Sequence, residues 1–160
     1  MALSFALAAL AGTASAVSFD GEVTRVADGD SLWVRPASGG EPVALRLQGI
    51  DAPEGCQAHG AEARAALARR VLHQAVTVQT RARDDYQRSV ARVRHRGEDV
   101  GAWLVREGHA WSMRYRRSAG PYAEQEAQAR LARRGLWSQA NPVEPRQFRR
   151  QHGRCRYERR

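Results

Sequence analysis

The chain contains no lysine: all 26 of its basic residues are arginine, against 17 acidic residues, for a formal charge of +9. Every fixed cation is therefore a guanidinium, the head group suited to bidentate contact with phosphate. There is no CxxC pair and no His/Cys cluster, which argues against a zinc site. The longest apolar run, within residues 2–11, is too short to cross a bilayer. No internal repeat and no second domain are visible. A pI near 11.0 favours polyanionic partners, with nucleic acid ahead of anionic membrane surfaces.

The N-terminus has an apolar stretch followed by Ala14-Ser15-Ala16, an A-x-A cleavage pattern without a basic region before it. We read residues 1–16 as a signal peptide and expect an exported protein, periplasmic or secreted. Residues 17–141 are read as the folded domain and 142–160 as an arginine-rich tail. That tail holds seven arginines and two glutamates, so it carries +5 of the total charge. It reads as chain leaving the fold, solvated or acting as an electrostatic arm. Only two cysteines are present, Cys56 and Cys155. In an oxidising compartment they are candidates for a bridge tying the tail beside residue 56, with buried free thiols as the other reading.

The strand and helix signals alternate. The segment "GEVTRVADGDSLWVR" alternates apolar and polar residues around an Asp-Gly-Asp turn, the pattern of a hairpin. "VALRLQGI" is a strand with Val43, Leu45 and Leu47 on one face and Arg46 on the other. "AVTVQT" and "RSVARVRHR" add two strands joined by a turn at residues 83–87. Helices are expected over about 61–73, behind Asp99 as N-cap, and from Pro121 to Gly135. Five strands interrupted by helices suggest a small barrel rather than a sandwich.

Within this pattern, Asp28, Asp30, Asp51 and Glu54 sit at strand ends that a barrel can bring to one rim. Two ionised carboxylates about 5 Å apart repel by roughly 3 kcal/mol at an effective dielectric near 20. A hard divalent cation answers that cost with oxygen ligation. Each acidic turn alone is ordinary turn chemistry, and a lone strand arginine is usually a snorkelling surface residue. Together with Arg46 and Arg88, the acids form the set that phosphodiester hydrolysis needs: cations for the developing charge and a carboxylate for the water proton.

The blocks "VADGDS", "LRLQGIDAPE", "DDYQRSVARV", "VGAWLVREGHAW" and "YAEQEAQARLARRGLW" resemble, in order and spacing, the staphylococcal nuclease (thermonuclease) family. The resemblance spans about residues 21–138. It implies an α+β fold, a five-stranded OB-fold β-barrel with three α-helices. It also implies Ca²⁺-dependent hydrolysis of DNA and RNA at the P–O5′ bond, leaving 3′-phosphate ends, by a protein expected to be monomeric. By the resemblance, Asp30, Asp51 and the backbone carbonyl of Ala52 would hold the calcium. Glu54 would act on the water, Arg46 and Arg88 on the phosphate, and Tyr86 on a terminal phosphate, with Asp28 structural. The sequence departs from the family pattern with Ser31, Ala52, Asp85, Gln87 and Cys56, which bears on substrate preference. Tyr115 and Tyr122 are candidates for stacking on a base. The tryptophans read mainly as core, and the five histidines share no metal-ligand spacing. The alternative function is a catalytically inactive nucleic-acid-binding module of the same fold.

Overall fold

A computed structural model describes residues 17–153 and 155. The leader reading for residues 1–16 lies outside the described residues. Strands β1 (Ser18–Val26), β2 (Ser31–Pro36) and β3 (Val43–Leu47) form an antiparallel meander, with β5 (Ala75–Arg83) on the other side of β1 and β6 (Ser89–His95) beyond it. A parallel ladder from β3 to β6, Leu45 opposite Ser89 and Leu47 opposite Ala91, closes the five strands into a barrel. The two short strands β4 (Ile50–Asp51) and β8 (Trp111–Ser112) pair outside it, placing Asp51 opposite Trp111. A further short strand, β7 (Glu98–Asp99), extends the β6 edge.

The period-two pattern fills the barrel. Val23, Leu32, Val34, Leu45, Leu47, Val78 and Val93 are all buried inside it. Helix α1 (Gly60–Val71) closes over this core with Ala63, Leu67 and Val71, and α2 (Val100–Arg106) adds Val100 and Leu104. Each large aliphatic side chain so buried contributes about 1.5–3 kcal/mol. Asp99 caps α2 as the sequence suggests, accepting a hydrogen bond from the Ala102 amide at 3.1 Å.

Helix α3 (Ala123–Leu131) is shorter than the expected 121–135. Arg133 and Gly135 take left-handed backbone conformations, φ 51° and 52°, and the chain turns into a 3₁₀ segment over Gly135–Ser138. Trp111 and Trp137 meet edge to face at 5.3 Å in a second apolar cluster with Ala129 and Leu136. The larger difference is at the C-terminus. Residues Pro145–His152 form a fourth helix, α4, with Pro145 at its start and the Cys56–Cys155 disulfide beyond its end. This part of the chain does not leave the fold. Among the described residues, no helix is long and apolar enough to cross a membrane.

Candidate active site

Two close backbone approaches bring the acidic segments together. The Asp28-Gly29-Asp30 turn rests on Ala52 and α1: a Cβ at Gly29 would lie 2.7 Å from the Ala52 Cβ and 2.9 Å from that of Ala63. At Gly60 a Cβ would fall 1.9 Å from the Glu54 carbonyl oxygen, so α1 can begin against this loop only with glycine there. The turn is held from within as well, because Asp28 accepts the Asp30 amide at 3.1 Å. Asp28 thus does the structural work expected of it.

Asp30 is buried, only 4 % exposed, and its Oδ2 accepts the Ala52 amide at 3.1 Å. Arg46, on the face of β3 away from the leucines, places Nη2 at 3.1 Å from Asp30 and 3.0 Å from Asp51. One guanidinium thus spans two carboxylates that are distant in sequence. Burial pushes the Asp30 carboxyl above its ordinary range, and Arg46 opposes that push. Burial also works against the Arg46 charge, but Asp30 and Asp51 outweigh it and hold the guanidinium above its usual value.

Arg88 reaches the same region from the β5–β6 turn. Its Nη1 donates to Ser31 Oγ at 2.9 Å, and that hydroxyl donates to Asp30 Oδ1 at 3.1 Å. Asp84 fixes the arginine: Oδ1 accepts the Tyr86 and Arg88 amides at 2.9 Å, and Oδ2 accepts Arg88 Nε at 2.8 Å. Although burial opposes it, these bonds hold the Asp84 carboxyl below the usual carboxylate range. Gln87 adopts φ 62°, a backbone region that favours glycine, where the family pattern has glycine. The Tyr86 ring lies 5.4 Å from the Arg88 guanidinium carbon.

The structure therefore gathers Asp30, Arg46, Asp51, Ala52, Glu54 and Arg88 at one end of the barrel. Tyr115 stands apart from this network, exposed in the 113–119 loop with Arg116 over its ring at 5.2 Å. Tyr122 is buried, donating to the Asp99 carboxylate at 3.1 Å, and is removed as a stacking candidate. Sequence reasoning missed Ser31 and Asp84 as supports. It also missed Arg149 of α4, whose Nη1 lies 2.7 Å from Glu54 Oε1 and whose Nη2 lies 3.1 Å from Asp51 Oδ2. The available signal was Pro145 directly after Glu144, a helix-start pattern. A concave space of about 560 Å³ lies elsewhere, lined by Arg69, Arg70, Trp103, His109 and Arg134.

A five-stranded barrel closed by a parallel β3–β6 ladder, with arginines and carboxylates converging at one end, defines a small α+β domain of OB-fold type. The family model for "Staphylococcal nuclease homologue" matches residues 44–139. "Micrococcal nuclease" of Shigella flexneri is 37 % identical over 166 residues, covering 91 % of this chain and 94 % of its own. "Protein ParB" of Escherichia coli is 39 % identical over 142 residues, covering 82 % and 79 %. An "Uncharacterized endonuclease" of Haemophilus influenzae is 33 % identical over 129 residues, covering 81 % and 72 %. The chain belongs to the staphylococcal nuclease family.

Proposed function

We propose that this protein is an exported, calcium-dependent nuclease that hydrolyses DNA and RNA at the P–O5′ bond and leaves 3′-phosphate ends. The observation that carries this reading is Arg46 bridging Asp30 and Asp51 within 3.1 Å, with Arg88 linked to the same Asp30 through Ser31. Acids drawn this close demand positive charge, and the arginines beside them suit phosphate oxygens.

The donor set fits a hard cation. Among the described residues no group of three or more His, Cys, Asp or Glu side chains gathers as a metal site. By the family resemblance, calcium would rest on the Asp30 and Asp51 carboxylates, the Ala52 carbonyl and water, all of them oxygen donors. When bound, it supplies Lewis-acid polarisation of a phosphate oxygen. Arg46 and Arg88 bind the phosphate and offset the charge that grows as water attacks phosphorus. Glu54 would take the proton from that water; the hydroxyl joins phosphorus as the P–O5′ bond breaks, and the leaving O5′ takes a proton from solvent.

Digestion of denatured DNA with Ca²⁺, with chelator, and by Glu54→Gln tests the mechanism. Activity should vanish in the chelator and fall by about 10²–10⁴ in the variant. Cleavage that ignores both changes would leave the inactive binding-module reading excluded and this mechanism wrong.

A further inference from the structure

Arg149 makes the most specific contact at the acidic cluster, and it comes from a helix beyond the matched family segment of residues 44–139. Its guanidinium sits on the carboxylate oxygens themselves. Nη1 reaches Glu54 Oε1 at 2.7 Å and Asp51 Oδ1 at 3.3 Å, and Nη2 reaches Asp51 Oδ2 at 3.1 Å. Asp51 Oδ1 also accepts from Arg46 at 3.0 Å, so both Asp51 oxygens are engaged by guanidinium. Burial works against the Arg149 charge, yet the bonds to Asp51 and Glu54 hold the guanidinium above its usual value.

The helix that carries Arg149 is anchored independently of that contact. Cys155, six residues further on, is disulfide-bonded to Cys56, two residues after Glu54. Gln57 Nε2 donates to the Val143 carbonyl at 2.6 Å, and Arg114 pairs with Glu144 at 2.7 Å. Phe148 lines a small cavity of about 260 Å³ with Trp111, Leu136 and Val143. These ties raise the effective concentration of the guanidinium at the carboxylates, as a short linker does for any second binding event.

We propose that Arg149 is a tethered competitor for the divalent cation: α4, secured by the Cys56–Cys155 bridge, holds a guanidinium on carboxylate oxygens that metal loading requires. This rests on the metal-dependent reading given above. A divalent cation and a guanidinium at the same oxygens repel each other, and the lone pairs used by one are lost to the other. Metal loading therefore displaces Arg149, just as it would turn Arg46 from Asp30 and Asp51 to phosphate, and the bridge sets how hard the displacement of Arg149 is. Dithiothreitol supplies the two electrons and two protons that convert the bridge to two thiols, and is itself oxidised to its cyclic disulfide.

The test is calorimetric titration of Ca²⁺ into four forms of the full chain: oxidised, reduced with dithiothreitol, Arg149→Gln, and Arg150→Gln. Arg150 is an exposed neighbour on α4 and matches the change in charge. The Arg149→Gln chain should bind Ca²⁺ about tenfold more tightly, and reduction should shift affinity in the same direction by a smaller factor. Arg150→Gln should stay within about twofold of the oxidised protein. The reduced form supplies the comparison without substitution, should Arg149→Gln fold poorly. Equal affinities for the Arg149 and Arg150 variants, or weaker binding by Arg149→Gln, overturn the competition while leaving metal dependence intact. Absence of Ca²⁺ binding in all four forms, with cleavage indifferent to chelator, overturns the metal reading and the competition with it.

Discussion

The Arg88 guanidinium and the Asp30 carboxylate are joined through one hydroxyl, that of Ser31, at 2.9 Å and 3.1 Å. Ser31 is 2 % exposed, so no water can easily replace it. The relay ties the Arg88 guanidinium to the most buried acid of the site. Ser31→Ala should lower kcat/KM about tenfold, equivalent to about 1.4 kcal/mol, and cost about 1–3 kcal/mol of stability. Ser31→Thr keeps the hydroxyl and should retain most activity. Steady-state kinetics beside urea unfolding separates the two effects; unchanged kcat/KM in Ser31→Ala would mean Arg88 is held by Asp84 alone.

Glu126 is a buried charge within α3, 3 % exposed. It accepts the Ser112 amide at 2.8 Å, Arg114 at 2.6 Å and Arg130 at 2.7 Å. Removing one member of such a network strands the others, at about 3–5 kcal/mol. Glu126→Ala should lower the unfolding free energy measured in urea by that amount, with a lower midpoint, and Glu126→Gln by less. Because β8 pairs Ser112 and Trp111 with Ile50 and Asp51, the loss should also reach the site. A midpoint unchanged by Glu126→Ala would show the network to be dispensable.

His109 stacks on His59, with ring centroids 5.3 Å apart and Nδ1 3.1 Å from His59 Nε2. Burial first, then His59 and Arg69, push its imidazole down from 6.5 to about 4, against the weaker pull of Glu107 and Glu62. Burial lowers His59 too, with Glu62 opposing. Between pH 6.5 and 4 the unfolded chain therefore binds more protons, and stability falls as pH falls. His109 is only half-buried, so screening reduces its share to about 1–2 kcal/mol. Urea unfolding at pH 7 and pH 5 should show a smaller loss for His109→Asn than for the unsubstituted protein. Equal losses would assign the acid sensitivity to other groups.

The barrel was legible because β3, β6 and most of β1 and β5 alternate with a period of two, broken by register shifts at Val23–Arg25 and Thr80–Ala82, and α1 shows Ala63, Leu67 and Val71 at helical spacing. Asp30, Arg46, Asp51, Glu54 and Arg88 stood out as charges at strand ends or among apolar neighbours, and their ordered blocks carried the family resemblance. What stayed hidden depends on contacts distant in sequence. Asp84 looked like one of two turn acids, and only the folded turn shows which one receives Arg88. Nothing in the sequence marks Glu126 apart from the other charges of α3; the Ser112 amide and Arg114, from outside the helix, make it a buried anchor. Helix α4 was obscured because six of its eight residues are arginine, glutamine or histidine with little apolar period, so it read as tail. Its place is set by the disulfide and by carboxylates nearly a hundred residues away.

That disulfide has a topological consequence. It closes residues 56–155 into a covalent ring that contains β5, β6, α1–α4 and the exposed 113–119 loop. A protease nicking this loop, at Arg116 or Arg117, opens the ring without dividing the molecule. The two fragments remain one covalent species, with α4 still fastened beside Glu54, and part only on reduction.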